Sequence, residues 1–149
     1  MNTEFIKSNE KRDIIATLSE QFGITELPYL LIRAGKERTR AFSGHLSKEE
    51  MIKLGEVARI ELIGSYLFKE EGLLRLSFDA AIMLQKQITK NVVEIKEEQV
   101  KDWLRGFDLE MSAPQGVVVI KSGSDFIGCG KSNGKTIYNY IPKDRRLKK

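Results

Sequence analysis

The chain has 149 residues, 41% hydrophobic and 31% charged, a balance that excludes a disordered chain and allows one compact domain or two small ones sharing an interface. One cysteine, Cys129, and one histidine, His45, exclude an intramolecular disulfide and a Cys/His zinc site, and remove most nucleophilic hydrolase schemes. The net charge of +4 sits at one end: residues 1–70 carry 11 basic and 11 acidic residues, whereas residues 111–149 carry eight basic and two acidic. Charge alone leaves two readings open, an acidic partner with nucleic acid first, or a solvated basic tail. No apolar run approaches a membrane span, and the first residues lack a signal-peptide core, so a cytoplasmic location without membrane contact is expected.

In chain order, Ile14, Leu18 and Phe22 recur at helical spacing, with Ile15 widening the stripe and Gly23 placed for a left-handed cap. The pattern predicts a helix over 10–22. Pro28 opens an extended run, and Gly35-Lys36 turns it into 37–42 as a hairpin. Ser47 and Glu50 form a capping box for a helix carrying Met51, Leu54 and Ala58. From Ile60 the period becomes two, so Ile60, Leu62, Gly64, Tyr66 and Phe68 share one strand face. Glu71-Gly72 turns into Leu73–Ser77, and Ser77 or Asp79 caps a helix with Ala81, Leu84 and Ile88.

The remainder changes character. A strand over 91–96 precedes a short helix over 97–105 with Val100, Trp103 and Leu104 inward, stopped by Gly106. Short strands follow at 108–111, 116–121, 126–130 and 136–141, punctuated by Gly123, Gly128, Gly130, Asn133-Gly134 and Pro142. This predicts a small, strongly bent β-barrel. The fold class is α+β, with an N-terminal α/β domain over 1–90 packed on a β-barrel domain over 91–149. No linker composition marks the boundary near residue 90.

The stretch Gly128-Cys129-Gly130-Lys131-Ser132 ends like a phosphate-binding loop. Asp125 stands where the first glycine is needed, and a turn and a strand follow instead of a helix, so nucleotide hydrolysis is rejected. The glycines better suit a tight β-bend where a side chain would collide with a neighbour. The acid pairs Glu49-Glu50, Glu70-Glu71 and Glu97-Glu98 fall at expected helix starts or turns. His45 reads as a loop residue, Cys129 as a packed one and Trp103 as core. No metal site and no cofactor site emerges.

The last segment carries Lys131, Lys135, Tyr138, Asn139, Tyr140, Lys143, Arg145, Arg146, Lys148 and Lys149. Lysine and arginine neutralise phosphates, tyrosines stack on unpaired bases, and Asn139 has the groups to read a base edge. Alternation puts both tyrosines on one face and Asn139 on the other. One face must be core, which favours both tyrosines packing inside the barrel over stacking.

Four stretches in order resemble a PUA domain, the small β-barrel RNA-binding module. They are Trp103-Leu104-Arg105-Gly106-Phe107-Asp108, Gln115–Val119, Phe126-Ile127-Gly128-Cys129-Gly130-Lys131 and Tyr138-Asn139-Tyr140-Ile141-Pro142-Lys143. They look most like the PUA-type tail of Nol/Nop/Sun RNA cytosine methyltransferases. The order of elements is also similar to the Nip-seven ribosome-assembly family, which has a pre-PUA domain before its PUA domain; there the similarity reaches back to about 60–90 (Gly64, Phe68, Leu74-Arg75-Leu76). Residues 1–59 match neither. The resemblance implies a PUA-type pseudo-barrel behind a pre-PUA-like domain, binding structured rRNA or tRNA in RNA modification or ribosome assembly. Carried onto matching positions, it assigns RNA contact to Arg105, Lys121, Lys131, Tyr138, Asn139, Lys143, Arg145 and Arg146, and the basic tail adds Lys135. No methyltransferase core is present, so the expected role is binding without catalysis. The alternative is an accessory or scaffold subunit whose partner is a protein, such as a separate RNA methyltransferase or an assembly factor. The zero net charge of the first part suits protein docking better than phosphate contact.

Overall fold

The computed structural model describes residues 3–34, 38–42, 65–71 and 73–148. The helix expected behind Ser47 and Glu50, the loop with His45 and the start of the strand from Ile60 lie outside the described residues. Five antiparallel strands form the first sheet in the order β1 (Thr3–Phe5), β2 (Leu30–Ala34), β3 (Arg38–Phe42), β4 (Ser65–Glu71) and β5 (Leu73–Leu76). Helix α1 (Ser8–Phe22) lies between β1 and β2 in sequence and buries Ile14, Leu18 and Phe22, the stripe read from its spacing. It ends at Gly23, whose φ of 83° and N–H bond to Ser19 O make the expected left-handed cap.

The strict alternation expected of β4 is broken. Thr39 pairs with Phe68 and Arg40 with Tyr66, so Leu67 is an extra residue in the ladder. The bulge lets both Leu67 and Phe68 enter the core. Ser77 caps α2 (Phe78–Met83), its Oγ accepting from Ala80 N at 2.9 Å. The helix is shorter than its apolar spacing implies; Leu84 and Ile88 join the same core from the turns that follow.

The second sheet runs β6 (Val92–Glu94), β8 (Gly116–Ser122), β9 (Asp125–Ser132), β10 (Thr136–Asn139) and β7 (Leu109–Glu110), with β6 parallel to β8 and the rest antiparallel. Helix α3 (Glu97–Leu104) follows β6. Gln99 Oε1 accepts from Lys96 N at 2.9 Å, and Glu97 and Glu98 in the first turn suit the helix dipole. The sheet curls round a core of Val93, Ile95, Trp103, Leu109, Val118, Ile120, Ile127, Ile137 and Ile141. Trp103 is fully buried, and its Nε1–H donates to Ile127 O at 2.6 Å.

Strand β8 is buried on both faces. Val118 and Ile120 point into this second core, whereas Val117 and Val119, with Cys129 of β9, belong to the first core beside Leu74 and Leu76. An unbroken apolar run is what a strand covered on both sides requires. The chain between the sheets is pinned as well. Thr89 N and Lys90 N donate to Phe22 O, and Asn91 Nδ2 donates to Gln21 O at 2.6 Å. Burial pushes the Cys129 thiol up to about 12, against the nearby Arg75 charge and a backbone hydrogen bond at Leu76 that both lower it. That thiol is a packing group, as its place in the sequence suggested.

Candidate nucleic-acid interface

The residues flagged from the sequence fall into two adjoining groups and one outlier. The first group lies along β9 and β10. Lys131 pairs across the ladder with Tyr138. Both are exposed, Tyr138 at 45%. The turn between the strands is held by Asn133, whose Oδ1 accepts from Lys135 N at 2.9 Å and Thr136 N at 2.8 Å. This turn presents Lys135 outward, and Asn133 Nδ2 reaches Tyr138 Oη at 3.2 Å. One lysine thus lies across the ladder from an exposed phenol ring, and a second stands in the turn next to it.

The second group gathers where α3 ends and the tail returns. Arg146 lies over Gly106, where an added Cβ would come within 2.6 Å of its Cδ and Nε. Gly106 has φ of 98°, so its conformation favours glycine. Arg146 Nε donates to Ile141 O at 2.9 Å, and Leu147 N donates to Leu104 O at 2.8 Å. Arg145 pairs with Asp79 at 2.9 Å and lies 5.1 Å from the Phe78 ring. Lys143 is exposed. Arg105 is half-buried, its Nε without a hydrogen-bond partner among the described residues. Phe107, 57% exposed, projects from the same loop. Sequence reasoning misses Phe107, although an aromatic after a helix-stopping glycine is a signal available there. Lys121 stands apart on β8, with its ammonium 5.5 Å from the Phe126 ring.

Two expectations about β10 are corrected. Its core face belongs to Ile137 and Ile141, not to the tyrosines. Tyr138 is exposed, and Tyr140 is half-buried with the Arg75 guanidinium 3.8 Å above its ring. Asn139 shares the inward side and its amide is spent on backbone. Nδ2 donates to Trp103 O at 2.7 Å and Phe107 O at 3.0 Å, and Oδ1 accepts from Ile141 N at 2.8 Å. Asn139 therefore staples the helix end to the last strand, with both Nδ2 hydrogens and one Oδ1 lone pair committed to backbone, so it lacks the donor–acceptor pair that reads a base edge.

The Gly128–Ser132 stretch is strand throughout, with no helix behind it, which removes the phosphate-loop geometry. Val119 pairs with Cys129 and Lys121 with Phe126, so two residues, Ile127 and Gly128, face Ile120 alone. Gly128, at φ 107°, makes this bulge. At Gly130 an added Cβ would lie 2.6 Å from Ile137 Cγ2 and from Tyr138 O. Among the described residues, no three His, Cys, Asp or Glu side chains gather in a way that could hold a metal ion.

A separate groove of about 800 Å³ runs between α3 and the β8–β9 hairpin. Ile95, Val100, Ile127 and Leu147 make it apolar, and Glu94, Glu97 and Asp125 place carboxylates beside it. Those carboxylates repel phosphate, so this groove is no part of the basic surface.

Residues 90–147 match the family model described as the PUA domain of the methyltransferase RsmF. This stretch is similar to a PUA domain. The whole chain is similar to a solved structure described as a conserved PUA domain protein from Thermoplasma acidophilum. The two share 18% identity over 94% of this chain and 93% of that one, with a TM-score of 0.64. That likeness shows a shared fold. No curated protein matches the chain. The matched residues contain both basic groups, the outlier Lys121 and the acidic groove; among the side chains described above, Asp79, Phe78 and Arg75 lie outside them.

Proposed function

We propose that this protein binds structured RNA, rRNA or tRNA, through the basic face of its PUA domain, and acts in RNA modification or ribosome assembly by positioning and not by catalysis. The observation that carries the reading is Tyr138, exposed at 45%, with Lys131 across the ladder and Lys135 exposed in the adjoining turn. An exposed flat ring with two lysines on the same hairpin suits an unpaired or helix-end base whose flanking phosphates the lysines neutralise. Arg105, Phe107, Lys143 and the tail extend the surface past the end of α3. The match to a methyltransferase's PUA domain supports a place in RNA modification. We read residues 1–90 as a pre-PUA-like domain, residues 91–149 as the PUA domain, and the protein as cytoplasmic.

The test is a titration of the full chain against unfractionated tRNA at two salt concentrations. Lys131→Gln and Lys135→Gln should each weaken binding and lower the salt slope by about 0.7–0.9 for each phosphate no longer neutralised. Tyr138→Ala should cost about 1–3 kcal/mol of affinity with the slope unchanged. Failure of the wild-type chain to bind tRNA or rRNA fragments at low salt would sink the reading.

The acidic, apolar groove favours a second reading, in which the PUA domain also docks a protein such as a separate RNA methyltransferase or an assembly factor. A segment with apolar anchors and basic flanks would suit Val100 and Leu147 beside Glu94 and Glu97. Glu94→Lys should then weaken co-purification of that partner and leave tRNA affinity no lower.

A further inference from the structure

Tyr138 has lysines on one side and carboxylates on the other. Glu110 of β7 pairs across the ladder with Thr136 of β10, and its Oε2 accepts from Thr136 Oγ1 at 2.9 Å. Thr136 and Tyr138, two residues apart, share the outer face, because Ile137 between them lies in the second core. Asp108 directly precedes β7, where the same register sets it opposite Tyr138. Its Oδ1 accepts from Asn139 N at 2.8 Å. Both carboxylates are exposed, and Glu110 Oε1 and Asp108 Oδ2 take no partner among the described residues. Tyr138 Oη lies 3.2 Å from Asn133 Nδ2, which ties the ring to the turn end of the hairpin, the end where Thr136 and Glu110 pair. Lys131 is across the ladder on β9 and Lys135 in the turn, whereas β7 carries only the two acids.

Adjacent strands lie about 4.8 Å apart, so β9 and β7 are about 10 Å apart with the strand of Tyr138 between them. Phosphates are drawn to the lysines and repelled by the carboxylates. A nucleotide stacked on Tyr138 is therefore oriented, its backbone towards β9 and the turn and its base edge towards β7. An ionised carboxylate only accepts hydrogen bonds, so that edge must offer donors. Cytosine, adenine and guanine carry an exocyclic amino group. Uracil carries two carbonyl oxygens about its one ring N–H, and these repel the carboxylate oxygens. We propose that Asp108 and Glu110 select the base stacked on Tyr138, accepting from an exocyclic amino group and rejecting uracil. This rests on the RNA-binding reading and names the bases that its Tyr138 site takes. The base must also be unpaired, since the edge that the carboxylates read is the one pairing would consume. The bonds from Thr136 and Asn139 hold both carboxylates in place before RNA arrives, so little ordering is left to binding.

The experiment titrates the full chain against single-stranded oligocytidylate and oligouridylate of equal length, with unfractionated tRNA as the reference. The two pyrimidine rings offer similar stacking area, so their ratio isolates the base edge. The wild-type chain should bind oligocytidylate about tenfold more tightly. Asp108→Asn and Glu110→Gln keep an oxygen for Asn139 N and Thr136 Oγ1 but turn an NH₂ donor outward, which suits uracil O4. Each should lower the ratio, and the double variant should bring it to one or below. Tyr138→Ala should weaken both oligonucleotides. Equal wild-type affinity for the two, or a preference that persists in the double variant, would overturn the proposal; affinity raised for both at an unchanged ratio would reduce the carboxylates to phosphate repellers. Binding of tRNA with neither oligonucleotide bound would also overturn it and leave the RNA reading standing. Absence of binding to all three would remove both. Thermal unfolding shows that each variant is folded, and should the double variant not fold, the ratios of the single variants decide.

Discussion

Replacing Asn139 by alanine separates a structural amide from a base-reading one. The side chain makes three hydrogen bonds to backbone, at 2.7, 3.0 and 2.8 Å. Their loss strands the Phe107 carbonyl and the Ile141 N–H, and leaves the Trp103 carbonyl to the Gly106 N–H that it also accepts. Each bond contributes about 0.5–1.5 kcal/mol net, and the site is half-buried, so water recovers part of the loss. The expected cost is about 2–3 kcal/mol, or roughly 5–10 °C in Tm for a chain of this size. Asn139→Asp should cost at least as much, because a carboxylate would face the Trp103 and Phe107 carbonyls. Urea unfolding followed by the single tryptophan measures the stability directly. Tyr138→Ala on the exposed face should leave the urea midpoint almost unchanged. Under conditions where both variants are folded, Asn139→Ala should retain the wild-type order of preference among RNA probes. Wild-type stability combined with an altered preference would refute the assignment.

Three further outcomes follow from the packing. Gly130→Ala should destabilise by about 3 kcal/mol or more, since the new methyl meets Ile137 Cγ2 and Tyr138 O at 2.6 Å; a folded variant with an unchanged urea midpoint would contradict it. Trp103→Phe should cost about 1–3 kcal/mol by leaving the Ile127 carbonyl unpaired in the core, read from thermal unfolding by circular dichroism. The Cys129 thiol has its pKa raised from 9.0 to about 12. The unfolded chain therefore loses this proton first, and the thiol's contribution to stability, full below pH 9, falls as pH rises towards 12. Cys129→Ala should lose less stability over that window than the wild-type chain, and Cys129 should resist thiol reagents until the protein unfolds.

Much of the architecture is legible in local pattern. The stripe of Ile14, Leu18 and Phe22, the Gly23 cap, the Ser77 cap and the short helix stopped by Gly106 all appear where their spacing put them. Local chemistry decides these, because a cap or an amphipathic face involves residues within a few positions of one another. The exposed lysines of the candidate site were legible for a similar reason, since a charge is placed outward wherever no partner holds it.

Other features depend on what each face meets. Alternation correctly separates the tyrosines from Asn139 but cannot say which face is core, and Ile137 and Ile141 decide it through Trp103 and Val118. The burial of Leu67 beside Phe68 requires a bulge set by β3. The double burial of Val117–Ile120 requires a second core supplied by residues about 40 positions earlier in the chain. Asn139 looks polar and available in sequence; only the approach of the Trp103 and Phe107 carbonyls commits it. Arg75 and Lys131 become neighbours by the docking of one sheet on another. By itself, then, the sequence determined the elements and the basic end of the chain, since those depend on propensity, period and charge. Tertiary structure alone decided which polar groups are consumed internally and which reach the surface, because hydrogen bonding and packing between distant segments have no local signature.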